Sequence, residues 1–279
     1  MYVVGYEPRR PTDQSDSDGD LLATSTLEPA TLLIRADDET DHPRAVTSIT
    51  LKPGTTLGYG LGSRRCAGAL EGTTHYPCDR PTGPHCDLHA STWVCARCTG
   101  TCLKDEMDCD DDHAIYLAAF APDTYNVGVT KRWRLETRLR EQGADRAAHV
   151  GTVSNGRIAR DLEAEIAARS GVVDRVRTES KVASLARSVD GAAWEALLAN
   201  NRFDVIAATD FDWGLGLETQ PVAETMLTGT VVGTKGRLLV LERAGTTYVV
   251  DMRDLVGHEL ESGDGEERTR LQSSLGSFS

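Results

Sequence analysis

The residues best suited to chemistry form one short ladder: Cys66, Cys78, Cys86, His89, Cys95, Cys98, Cys102, Cys109 and then His113. All seven cysteines of the 279-residue chain lie in it. Cys86-x-x-His89 and Cys95-x-x-Cys98 have the spacer that lets two side chains grip one tetrahedral ion. Seven thiols and His89 make eight ligands, which fills two four-ligand sites. Closed sites of this kind leave no position for water and are structural, and soft thiolates favour zinc over magnesium or calcium. Two structural Zn2+ ions are therefore expected. Sequential pairing (66/78/86/89 and 95/98/102/109) is the simplest, and crossed pairing stays open. The four cysteines from 95 to 109 also suit an iron–sulfur cluster. A redox CxxC would not need six further ligands nearby, and disulfides are not expected in a cytosolic chain. Large apolar residues are few here, so residues 63–112 should fold only with metal. Structural zinc contributes about 10–16 kcal/mol in small peptides.

A second group follows the ladder. Tyr116 lies in a strand-like run. Arg134 and Arg138 are four apart, so they share one helix face, and paired guanidiniums suit phosphate. Glu163 borders an apolar stripe of Ile158, Leu162 and Ile166. Each has a plainer explanation: Tyr116 as a core aromatic, the arginines as partners of Glu136 and Glu141, Glu163 as a partner of Arg160. His75, His85 and His113 read as supporting or surface histidines.

The elements that must position these groups are legible in outline. Residues 1–62 alternate apolar and polar and read as short strands around an acidic loop at 12–20. From 114 the order is strand (IYLAAF), turn, strand (YNVGVT), helix (RLETRLREQ, ended by Gly143), strand (RAAHVGTV) and helix (RIARDLEAEIAARSG, ended by Gly171). Residues 181–200 look helical with a break near Asp190-Gly191. MLTGTVVGT, RLLVLERAG and TTYVVDMRD are three more strands. The expected divisions are a β-rich part (1–62), a Cys-rich zinc module (63–113), an α/β domain (114–202), a second β-rich part (203–260) that pairs with the first, and a disordered tail (261–279).

AIYLA at 114–118 and NVGVT at 126–130 on adjacent strands resemble the GIY-YIG nuclease domain. The resemblance places Tyr116 on the first motif's tyrosine and Gly128 on the second motif's glycine. Arg134 or Arg138 then matches the helix arginine, and Glu163 the metal-binding glutamate. It implies an α+β fold with a small three-stranded sheet and helices, and a nuclease using Mg2+ or Mn2+. In that role the Glu163-bound ion would polarise a phosphate and the arginines would stabilise developing charge. The wider pattern of cysteine ladder, HAIYLAAF, NVGVT, an Arg-rich helix ending in EQGA, and GTVVGTKGRLLVL resembles a domain family of unknown function numbered 2797. That resemblance implies no activity.

Charge narrows the partners. The formal net charge is −13, with 25 Asp, 18 Glu, 25 Arg and only 5 Lys. An acidic surface with Arg far above Lys fits work in concentrated salt, so a halophilic protein is expected. Residues 131–187 carry +5 and the remainder −18. Positive charge is thus concentrated around the second group, which is what nucleic-acid contact needs. The alternative is a non-catalytic zinc-stabilised scaffold for protein or RNA. No apolar run approaches the roughly 18–20 residues of a membrane span and the N-terminus lacks a signal-peptide pattern, so a cytoplasmic protein without membrane contact is expected.

Overall fold

Short Val-, Leu- and Thr-rich runs separated by glycine turns make strands. The computed structural model describes residues 1–11, 27–36, 44–90, 111–170, 172–173, 175–201 and 203–263. They fall into two compact units, one formed by Met1–Pro8, Pro29–Ala90 and the chain from Pro221, the other by Arg9–Glu28 and Ser91–Gln220.

The first unit is built on a nine-stranded sheet. Its spatial order is Val222–Ala223, Thr246–Asp251, Leu238–Arg243, Leu227–Lys235, Thr56–Arg64, His258–Ser262, Tyr2–Glu7, Thr31–Arg35 and Thr47–Thr50. Neighbours are antiparallel except Val222–Ala223, which runs parallel to Thr246–Asp251. Leu32, Leu227, Leu239, Leu241, Met252 and Leu255 form the centre of its core. A small sheet of Arg44–Ala45, Thr74–Tyr76 and Ala69–Glu71 carries the chain past the first cysteines.

The second unit holds a four-stranded antiparallel sheet in the order Thr124–Lys131, His113–Phe120, Arg146–Val153, Ala207–Asp210. Along His113–Phe120 the side chains alternate between two covered faces. Ala114, Tyr116, Ala118 and Phe120 pack with Leu135 and Leu139 of helix Leu135–Gln142. Ile115, Leu117 and Ala119 pack with Ala159 of helix Gly156–Ser170 and Trp194 of helix Gly191–Asn200. Burial on both faces explains the uninterrupted apolar run AIYLAAF. Gly143, at φ 70°, ends the first helix in the left-handed conformation, its N–H donating to the Leu139 and Arg140 carbonyls.

The small three-stranded sheet with helices is not the fold class. Among the described residues strand outweighs helix, and the largest sheet is mixed and nine-stranded. Alternation reveals that a segment is a strand but not its partner, and Tyr2 pairs with Glu259 at the far end of the sequence. The central sheet also gains a fourth strand, Ala207–Asp210, whose AATD sequence has no strand pattern. Ile158 leaves the expected apolar stripe: it is 51% exposed, while Leu162 and Ile166 pack against the core. The tail from 264 and the loop at 12–20 lie outside the described residues. No described helix is long and apolar enough to cross a membrane.

Candidate metal centre

Cys66, Cys78, Cys86 and His89 converge in the first unit, their ligand atoms all within 4.8 Å of one another. Cys66 leaves strand Thr56–Arg64 and is pinned on both sides: its N–H donates to the Arg80 carbonyl at 2.8 Å and that of Ala67 to the Pro84 carbonyl at 2.8 Å. Cys78 follows strand Thr74–Tyr76. Cys86 and His89 share one turn, closed by the His89 and Ala90 N–H groups donating to the Cys86 carbonyl.

The spacing fits a tetrahedral ion. The His89 Nδ1 is 3.5 Å from the Cys66 Sγ and 3.4 Å from the Cys86 Sγ, and the Cys78 and Cys86 sulfurs are 4.0 Å apart. Zinc–sulfur bonds of about 2.3 Å give a tetrahedron with edges of about 3.8 Å. Backbone N–H groups supply the charge compensation that thiolates need. Gly68 and Cys86 both donate to the Cys66 Sγ, at 3.4 and 3.2 Å. The Cys86 thiol is lowered to about 6: burial works against ionisation, but the Leu88 N–H, the His89 ring, Cys66 and the His89 N–H outweigh it. Burial pushes the Cys66 thiol up. Three cysteines and one histidine could hold one metal ion such as zinc, with no open coordination position.

Supporting residues hold the Cys66 loop. His75 is fully buried; its Nε2 donates to the Ala67 carbonyl at 2.5 Å and its Nδ1 accepts from the Arg35 guanidinium at 3.2 Å. Arg35 is buried as well, and the Tyr2 ring meets the His75 imidazole edge-on at 5.7 Å. Gly68 sits at φ 73°, and a Cβ there would be 2.0 Å from the Tyr76 carbonyl oxygen. The one sequence signal for His75 is its place between the first two ligands, in the strand that leads to Cys78. Nothing local marks Arg35.

The expected second set, Cys95, Cys98, Cys102 and Cys109, lies outside the described residues, so the described chain brings together one four-ligand group rather than two.

The second candidate group assembles in the other unit. Tyr116 is 1% exposed. Its hydroxyl accepts from the Gln142 Nε2 at 2.8 Å. Burial pushes that hydroxyl above its ordinary range, Arg138 and Gln142 pull it down, and the Glu163 charge pushes it up. Arg138 and Gln142 act on that oxygen as hydrogen-bond partners, and Glu163 acts on it only through its charge. Gln142, one helical turn beyond Arg138, completes the set, and that spacing was its signal in the sequence. The arginines and the glutamate also have other partners: Arg134 and Arg138 both donate to Glu141, at 3.0 and 3.4 Å, and Arg160 donates to Glu163 at 2.6 Å. His113 caps its own loop through the Asp111 carbonyl at 2.6 Å.

A family model described as a protein of unknown function, DUF2797, matches residues 69–211, half of the chain. No curated protein and no solved structure matches.

Proposed function

The chain belongs to the DUF2797 family, and we propose that this member is a zinc-stabilised nucleic-acid-binding protein. One observation carries the reading. Residues 131–160 hold eight Lys and Arg against three Asp and Glu, in a chain whose net charge is −13. They include helix Leu135–Gln142, where the Arg138 side chain is 44% exposed. Phosphate contacts from such basic side chains supply sequence-independent affinity. One zinc at Cys66, Cys78, Cys86 and His89 serves the fold of the other unit. The Arg-over-Lys, acidic composition supports work in concentrated salt, where charge attraction is weak and shape must contribute.

The test is fluorescence anisotropy with labelled DNA and RNA oligonucleotides over a salt series. Binding whose log affinity falls linearly with log salt supports the reading. Arg138→Ala should make that slope shallower by roughly 0.7–0.9 for each phosphate the guanidinium neutralises. Failure to bind any oligonucleotide at about 50 mM salt rejects it.

Metal-dependent cleavage is a second reading, favoured by the Tyr116 hydroxyl being held by Gln142 at 2.8 Å, with the Arg138 and Glu163 charges acting on it in opposite directions. Against it stand the burial of Tyr116 and the Arg160–Glu163 ion pair. Incubating DNA or RNA with Mg2+ or Mn2+ decides this. Cleavage lost in Glu163→Ala supports a nuclease, and intact substrate leaves binding alone.

A further inference from the structure

Among the described residues, Trp133 is the large aromatic side chain that the fold of the second unit does not use. Its fellow tryptophans Trp194 and Trp213 are buried in the two cores of that unit, at 3% and 7% exposure. Trp133 is 53% exposed. It sits in the single turn Arg132–Arg134, between two arginines, immediately before helix Leu135–Gln142. The Arg134 guanidinium carbon lies 5.8 Å from its ring centroid. A lone exposed apolar residue needs no explanation. An indole flanked by cations on both sides, in a positively charged stretch of an acidic chain, is a different matter.

We infer that Trp133 is a stacking platform for a base of single-stranded nucleic acid, with Arg134 lying 5.8 Å from the ring centroid while its guanidinium donates to Glu141. This rests on the nucleic-acid-binding reading and names its substrate class. A duplex hides its base faces inside the stack and offers an exposed indole only groove edges and backbone. An unpaired base has a free π-face, and aromatic stacking beside cationic groups is how single strands are held without sequence preference. An acidic protein partner would be drawn by the same charge but would gain little from an indole.

The experiment uses full-length zinc-loaded protein and three probes: a labelled mixed-sequence 12-mer single strand, the matching duplex, and poly-glutamate. Trp133→Ala and Trp133→Phe are compared with wild type, and thermal melts check that the exposed position leaves the fold intact. The expected result is that the single strand binds more tightly than the duplex. Trp133→Ala should weaken the single strand about 5- to 150-fold, as loss of one stacked base implies, and leave the duplex unchanged. Trp133→Phe should recover most of the loss. Single-strand binding that is equal in wild type and Trp133→Ala overturns the inference while leaving the nucleic-acid reading intact, as does duplex binding at least as tight as single strand. Poly-glutamate bound in a Trp133-dependent way overturns it in favour of an acidic protein partner. Binding of no oligonucleotide removes both readings.

Discussion

Tyr116 and Gly128 are register partners on adjacent antiparallel strands, and the tyrosine ring lies over the glycine. A Cβ on Gly128 would be 2.4 Å from the Tyr116 hydroxyl oxygen and 2.5 Å from the ring carbon that bears it. The tyrosine of AIYLA and the glycine of NVGVT are thus one packing pair. The glycine makes room for the ring, which reaches across the outer strand to Gln142.

Gly128→Ala should therefore force the Tyr116 ring out of place. Overpacking of this kind costs about 1–3 kcal/mol. Chemical denaturation measures it, and a companion Tyr116→Phe/Gly128→Ala double variant should recover little, because the ring carbon clashes as well as the hydroxyl. An unchanged midpoint in Gly128→Ala would contradict the close approach.

Removing the metal should destabilise the protein by at least about 3 kcal/mol, or roughly 6–12 °C in Tm. Cobalt-substituted protein should show tetrahedral visible bands and thiolate charge-transfer absorption from the three cysteines of the site. Cys66→Ser and Cys86→Ser should each lose one equivalent of bound ion. Full metal content in both variants would dissolve the site.

Acid should weaken the support under Cys66. Burial holds His75 below its ordinary 6.5, with Arg35, Arg65 and His89 pulling the same way and the Ala67 carbonyl opposing. A depressed histidine contributes stability that is present above the unfolded value near 6.5 and lost as pH falls through the lower folded value. Wild-type stability should thus decline below about pH 6.5. In His75→Gln, which keeps a donor and an acceptor but does not titrate, the decline should be shallower. Identical pH profiles for the two proteins would show that His75 stays neutral for another reason.

Two apolar residues of the second unit should behave differently. Leu117 is fully buried, and Leu117→Ala should cost about 2–5 kcal/mol. Ile158 is 51% exposed, and Ile158→Ala should stay within about 0.5 kcal/mol. Comparable losses would mean that helix Gly156–Ser170 packs by a different face.

Several features were written locally and could be read directly. Cys86-x-x-His89 encodes a two-ligand grip in its spacing, because one turn brings both side chains to one point. AIYLAAF encodes a strand, and LETRLREQG a helix with Leu135 and Leu139 inward and a glycine stop. The ion pairs of Arg134, Arg138 and Glu163 with neighbours three to seven residues away are also local, since a helix turn sets them.

What the chain could not declare by itself was every relationship between distant segments. Strand alternation names no register, so although the two terminal β parts were expected to pair, the joining of Tyr2–Glu7 to His258–Ser262 within a nine-stranded sheet was decided only on folding. Ala207–Asp210 becomes a strand because the edge of Arg146–Val153 has free backbone groups to pair, not because of its own residues. The Arg35–His75–Ala67 chain that braces Cys66 spans forty residues, and only burial in a shared interior makes those polar groups seek one another. The sequence by itself determined the ligand types, most of the helices and most of the strands. Tertiary structure decided which of them meet, because pairing and burial depend on distance in space, and sequence spacing reports that distance only within a turn or two.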